Sequence, residues 1–214
     1  MFGYWAARGL GNSQRLILAA TGQEFEEKRY TDGAEWSEKD KPALESDLAN
    51  LPYLTFDGIT VTEHDSICRV AAFRYKKSLL GKNAKEMALV ENYFTALTKV
   101  NPKFRGAAFK RPAATDDERK EGVEVVRSIV TVVNKRLGEG KWIASEDISI
   151  ADIYFWEMVE ALKVHWAPFL EEFANLARFQ EDFDKEEWFV NFKASGNFLE
   201  KPMYPPAMAT LNNV

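Results

Sequence analysis

Cysteine is nearly absent from this chain: among 214 residues there is one, Cys68. A lone thiol cannot close an internal disulfide, so packing must hold the fold, and a reducing, cytoplasmic compartment is the expectation. Histidine is almost as scarce. His64 and His165 are the only two, with no second histidine or cysteine at ligand spacing, so no metal site is expected. No apolar run approaches the roughly 18 residues a membrane span needs. The opening MFGYWAARGLGNSQRL has no basic segment leading into a long apolar core, so no signal peptide is read. Basic residues are not in excess: 28 Lys+Arg against 33 Asp+Glu leave a formal charge of -5, which argues against a nucleic-acid surface. Internal repeats and low-complexity tracts are also missing.

What is present suits a globular enzyme-sized fold. Hydrophobic residues make up 46% and charged residues 29%, enough for one large or two small cores. Residues 2–6 form a short aromatic strand, broken by Arg8-Gly9-Leu10-Gly11-Asn12. A short amphipathic helix follows, carrying Leu16, Ile17 and Ala20, with Ser13 as its cap and Thr21-Gly22 as its stop. Residues 25–30 read as a second strand. The acidic stretch 31–49 is irregular and carries Trp36 and a short helix over 42–47.

The stretch 50–69, NLPYLTFDGITVTEHDSICR, reads as strand, hairpin, strand and helix start. Asp57-Gly58 is a two-residue turn signal, and Thr60-Val61-Thr62 is β-branched. Glu63-His64-Asp65-Ser66 puts short polar groups where a helix begins. Pro52 cannot donate to a sheet ladder and so opens a strand or sits at an edge. The first 75 residues thus read β-α-β-α-β-β-α, a mixed sheet.

Residues 76–83 form a basic linker, after which the pattern is helical throughout. One helix spans 85–99. A loop and cap at 112–118 lead into a long helix ending at Leu137, with Val123, Val126, Ile129, Val130 and Val133 on one side. Ser149 and Asp152 form a capping box, and Ile148 and Ile153 are spaced as a hydrophobic staple. The helix that follows is apolar nearly all round, as a central helix is. The expected architecture is α/β followed by all-α: residues 1–75, a linker at 76–83, and a helical unit at 84–214.

These features together resemble the cytosolic glutathione transferases. Gly3-Tyr4-Trp5, Arg8-Gly9-Leu10, Arg15-Leu16 and Asn50-Leu51-Pro52-Tyr53-Leu54 with Asp57-Gly58 are similar to the mu class. Trp142-Ile143-Ala144, the Ser149/Asp152 box and Phe173-Ala174-Asn175-Leu176 resemble the family's helical domain. The resemblance spans the chain and implies a thioredoxin-like sheet domain, a cis Leu51–Pro52 bond, and transfer of the glutathione thiolate to apolar electrophiles in detoxification.

Glutathione is a peptide whose thiolate is the nucleophile. A hydrogen bond to the charged sulfur lowers the thiol pKa. The resemblance gives that role to Tyr4, where residues alone would read a packed aromatic. It implies that Trp5, Leu10, Asn50, Leu51 and Pro52 line the peptide cleft, with the Leu51 backbone pairing to the ligand as an added strand. Trp36 and a lysine meet the glycyl carboxylate. Counting back from Asn50 selects Lys41, counting on from Trp36 selects Lys39, and Lys41 is preferred. Glu63-His64 replaces the family's Gln-Ser pair. Glu63 accepts from the ligand amine, and the His64 N–H offers a helix N-terminus to its carboxylate. The His64 side chain either adds positive charge below a pKa of about 6.5 or points to solvent.

Departures from the mu pattern give sigma-like shortening. The loop before Trp36 is short, Ala96 stands where an acidic residue reaches the partner's ligand, and no tyrosine stands near Val100. Cys68 reads as a core residue and His165 as structural. Glutathione is expected as co-substrate, with no other cofactor. The resemblance implies a homodimer, since Arg69 matches a position where the family pairs two arginines near the two-fold, although Leu48 stands in place of the family's aromatic key. Two other outcomes are a non-catalytic ligandin- or crystallin-like binder and a sigma-type glutathione-dependent isomerase.

Overall fold

In a computed structural model the described residues are 1–211. Four strands, β1 (Phe2–Trp5), β2 (Glu27–Tyr30), β3 (Tyr53–Phe56) and β4 (Ile59–Thr62), form one sheet in the order β2-β1-β3-β4. β1 runs parallel to β2, with Phe2 opposite Glu27, and antiparallel to β3, with Phe2 opposite Leu54. The parallel pair is joined by the crossover helix α1 (Asn12–Thr21), as the sequence pattern requires. The β3–β4 hairpin turns at Asp57-Gly58, both at positive φ (47° and 73°). That is the geometry for which Asp-Gly is favoured.

Helix α1 differs from expectation at its start. Its N-cap is Gly11, and Ser13 lies inside the first turn, donating its hydroxyl to Leu10 O. The helix stops at Gly22, φ 75°, as expected. The helix anticipated over 42–47 lies earlier: a π-helical turn, Glu35–Asp40, runs into α2 (Lys41–Ala43). Trp36 drives this shift. Its ring is buried with Tyr30 and Tyr53, stacked on Tyr53 at 6.0 Å, and anchors the turn to the sheet. Helix α3 (His64–Tyr75) then packs beside α1.

The linker contains a 3-10 turn, Lys77–Leu80, whose Leu79 is buried. Beyond it every regular element among the described residues is helical. Helix α4 (Ala84–Arg105) is capped by Asn83 and continues past Lys99, through Pro102. Proline blocks one intrahelical bond but leaves its own φ helical, and burial of Asn101, Phe104 and Arg105 holds the last turn. The long helix expected up to Leu137 is two helices, α5 (Asp116–Glu124) and α6 (Arg127–Leu137). The break at Val125-Val126 keeps Val123, Val126, Val130 and Val133 all buried, while Ile129 is half-buried.

Helix α7 (Ile150–Trp166) is the centre of the helical half, with only its last turns reaching the surface. The Asp152 carboxylate accepts the Ser149 N–H at 2.9 Å, the Ser149 hydroxyl at 2.6 Å and the Ile143 N–H at 2.7 Å. It therefore fastens the preceding loop as well as the helix start. Helices α8 (Ala174–Asp184) and α9 (Glu187–Ala194) complete the bundle. One continuous apolar core runs from Phe2 in the sheet to Phe189 in α9. No described helix is long and apolar enough to cross a membrane.

Candidate active site

The end of β1 delivers Tyr4 into a tight turn of small residues. The Tyr4 ring is packed against Gly9 and Gly11; a Cβ at Gly11 would collide with the ring. Gly9 sits at φ 46°, a backbone state that also favours glycine. The Leu10 N–H donates to the Tyr4 hydroxyl at 3.0 Å. Burial raises the Tyr4 pKa, while the Leu10 N–H and the charges of Arg105 and Arg15 oppose that rise.

Two buried arginines fix this turn. The Arg15 guanidinium donates to Ala7 O at 2.8 Å and Trp5 O at 3.0 Å, and pairs with Glu27. Arg8 pairs with Glu157 on α7 at 2.6 Å, where Asn12 also donates at 2.7 Å. The chain's far end closes over the turn: Arg8 N–H donates to Pro202 O and Gly9 N–H to Met203 O.

A cavity of about 260 Å³ opens beside the Tyr4 hydroxyl, bounded by Leu10, Pro102, Arg105, Phe109, Tyr204 and Pro205. Arg105, in the last turn of α4, is buried and donates to Asn101 Oδ1 at 2.7 Å and Gly9 O at 3.1 Å. A larger cavity, about 860 Å³, lies between the end of α1, β2 and α9 and does not include Tyr4. Chemistry favours the smaller one, because it joins an apolar wall to a tyrosine hydroxyl and a cation.

The remaining expected residues divide into two groups. Trp5, Trp36 and Leu51 meet in one small cluster around Tyr30 and Tyr53 on the sheet's edge. Leu10 is half-buried at the Tyr4 cavity. The Leu51–Pro52 bond is cis. The Leu51 N–H, expected to be open to a peptide, instead donates to Asn50 Oδ1 at 2.9 Å. Lys39 and Lys41 are both exposed on the turn carrying Trp36, without an ion pair among the described residues. The residues described do not decide between the two lysines.

Glu63 is exposed at φ 67° and immediately precedes α3. His64 differs from both expectations for its side chain. Its ring neither faces solvent nor carries a favoured positive charge. It stacks on Tyr154 at 6.1 Å, and its Nε2 is buried without a hydrogen-bond partner. Burial lowers its pKa, and the cations Arg105 and Arg69 lower it further. Gln14 instead engages the His64 carbonyl, at 2.7 Å.

Cys68 is buried with its thiol pKa pushed up to about 12, so it is an inert core group. His165 is buried, meets the Tyr204 hydroxyl at 2.7 Å, and has its pKa driven down to about 3 by burial and nearby arginines. No cluster of three or more metal-ligating side chains occurs among the described residues. Sequence reading missed Arg105, Tyr204 and Glu157. A helix continued through Pro102 would have put Arg105 one turn after Asn101, on the same face.

A mixed four-stranded sheet with a cis proline before its hairpin, followed by a helical bundle around a capped central helix, defines the thioredoxin-like α/β plus all-α fold of the glutathione transferases. Two solved structures share it. The crystal structure of the glutathione S-transferase Blo t 8 aligns with a TM-score of 0.77, covering 99% of both chains at 19% identity. The structure of rat hPGDS complexed with a quinoline also gives 0.77, covering 95% of this chain and 98% of that one, at 19% identity.

Sequence comparison narrows the class. Residues 100–196 match the family profile "Glutathione S-transferase, C-terminal domain". The chain is 29% identical over 212 residues to glutathione S-transferase Mu 4 of Mus musculus, and 28% identical over 213 residues to glutathione S-transferase Mu 2 of Homo sapiens, with 94% of each chain covered in both cases. Sequence and fold agree in what they resemble: over nearly its whole length the chain is similar to mu-class glutathione S-transferases, and its helical half carries the family's C-terminal profile.

Proposed function

We propose that the protein transfers the glutathione thiolate to small, largely apolar electrophiles, the detoxifying reaction of this family. One observation carries the reading: the Tyr4 hydroxyl, buried and oriented by the Leu10 N–H, borders an apolar cavity of about 260 Å³. A phenol whose acceptor side is already engaged is left to donate its own proton to an adjacent anion. A thiolate held there is stabilised by that bond, and its pKa falls.

In this reading residues 1–75 bind glutathione, 76–83 connect, and 84–214 supply the acceptor wall. The peptide lies across Trp5, Leu10, Leu51 and Pro52, with Asn50 turning away from the Leu51 N–H to admit it. Glu63 accepts from the γ-glutamyl amine. The His64 N–H, at the start of the 12-residue helix α3, donates to the γ-glutamyl carboxylate. Trp36 and Lys41 meet the glycyl end. Glutathione is the co-substrate, and no further cofactor takes part. The working form is a cytoplasmic homodimer, with Leu48 and Phe73, both exposed, available to a second copy.

The test is glutathione-dependent conjugation of chlorodinitrobenzene and of several unrelated electrophiles. A second reading, a binding protein without turnover, has one observation in its favour: the Leu51 N–H is occupied within the chain. Tight glutathione binding with no conjugation of any acceptor would decide for it.

A further inference from the structure

An apolar acceptor gives no reason for Arg105. The residue is 6% exposed, buried like Arg8 and Arg15 though less completely. Those two are neutralised by Glu157 and Glu27. Arg105 is not. Its hydrogen-bond acceptors are neutral, Asn101 Oδ1 and Gly9 O, and both are reached through Nε and Nη1. Among the described residues, Nη2 donates to nothing and no carboxylate lies at ion-pair distance. The nearest aromatic groups are the Tyr204 ring at 5.5 Å and the Phe104 ring at 5.8 Å.

A buried cation without a counter-charge is costly. Its field reaches the cavity and beyond: burial raises the pKa of Tyr4 and Tyr204 in the lining and of Tyr154 outside it, and the Arg105 charge opposes each rise, while at His165 it adds to the lowering by burial. The rest of the lining includes Leu10, Pro102, Phe109 and Pro205, whose side chains offer apolar contact. The complement of such a cavity is an apolar body ending in an anion. A carboxylate is the group that a guanidinium with a free edge holds best.

We propose that Arg105 makes the acceptor pocket selective for electrophiles that carry a carboxylate, which the guanidinium holds while the reactive carbon faces Tyr4. The chemistry of the step rests on the transfer reading above; the binding does not. For a chloromethylarene carboxylate, a sulfur–carbon bond forms, the carbon–chlorine bond breaks, and chloride leaves with the electron pair. The carboxylate is unchanged.

Two matched pairs test this. The unreactive pair, para-toluate and para-toluamide, is titrated calorimetrically into the protein. The reactive pair, para-chloromethylbenzoate and para-chloromethylbenzamide, is assayed with glutathione. Toluate is expected to bind at least about tenfold tighter than toluamide, the size of one charged hydrogen bond. The same preference should appear in kcat/KM. In R105Q both ratios should fall toward one, and R105K should restore part of them. Equal binding of the unreactive pair to the wild type overturns the proposal, as does a preference that survives in R105Q. If R105Q does not fold, the wild-type ratio and its decline with added salt decide. Toluate preference without conjugation of either chloromethyl compound refutes the transfer reading and leaves the Arg105 assignment standing. Conjugation of both at equal kcat/KM does the reverse.

Discussion

The Leu10 N–H donates to the Tyr4 hydroxyl at 3.0 Å, and this bond sets the direction of the Tyr4 proton. With one acceptor position filled from the loop, the hydroxyl keeps its own hydrogen to donate to a neighbouring anion. Phenylalanine at position 4 keeps the ring packing and removes only that donor. The Tyr4→Phe variant should fold and bind glutathione while losing roughly 10- to 100-fold in kcat/KM, the equivalent of one charge-assisted hydrogen bond. The pH–rate profile should also move, with the thiol ionising at higher pH. Unchanged kinetics would remove Tyr4 from the reaction.

Gly11 is the second determinant of that geometry. Its φ is -77°, so alanine meets no backbone strain there. The obstacle is the Tyr4 ring, into which a Cβ would run. Gly11→Ala should therefore cost about 1–3 kcal/mol by overpacking and displace Tyr4 from the cavity. A urea titration reads the first effect and conjugation kinetics the second. Loss of stability with full activity would mean that the loop, rather than the tyrosine, yields.

Much of the fold was legible because local signals agreed with each other. Asp57-Gly58 fixed the hairpin, Gly22 the helix stop, and the Ser149/Asp152 box the central helix. The errors came where a distant contact overrode local pattern. Trp36, buried against Tyr53, moved the second helix forward. Burial of Arg105 and Asn101 carried α4 through Pro102, where a proline ordinarily signals an end. At the site, Tyr4 stood out only through the family resemblance, since the residues alone read as a packed aromatic in the first strand. The inward turn of His64 onto Tyr154 was not legible, because those two residues are far apart in sequence and no periodicity connects them. Arg105 was hidden for the same reason: its meaning depends on which carboxylates are missing around it.

The buried Arg8–Glu157 pair ties the Tyr4 turn to the central helix. Without Glu157 the buried Arg8 keeps only the more distant and more exposed Glu160, at 3.5 Å, so Glu157→Ala should destabilise by about 3 kcal/mol, the lower end for a broken buried pair. Replacing both partners, as in Arg8→Met with Glu157→Leu, should cost less than the single change. Denaturant unfolding of the two variants checks the order. If the single variant is the more stable, the pair contributes little to holding the turn.

Two buried groups should give opposite pH slopes to stability, and this can be measured. Burial pushes the Asp152 carboxyl up from its ordinary value to about 6. Between its unfolded pKa, about 4, and 6 the folded protein holds a proton that the unfolded chain has released, so this contribution falls as pH rises. His165 is driven the other way, from 6.5 to about 3. Over that interval the unfolded chain binds the proton, so its contribution falls as pH drops. The stability gap between wild type and His165→Gln should therefore narrow on acidification from about pH 7 to about pH 4, as the wild type loses the benefit of its neutral imidazole. The gap between wild type and Asp152→Asn should widen over the same range, because the protonated carboxyl keeps the Ile143 and Ser149 donors satisfied without a buried charge. Urea unfolding of the three proteins at several pH values reads both gaps. Parallel pH curves for all three would mean that neither group titrates differently in the folded state.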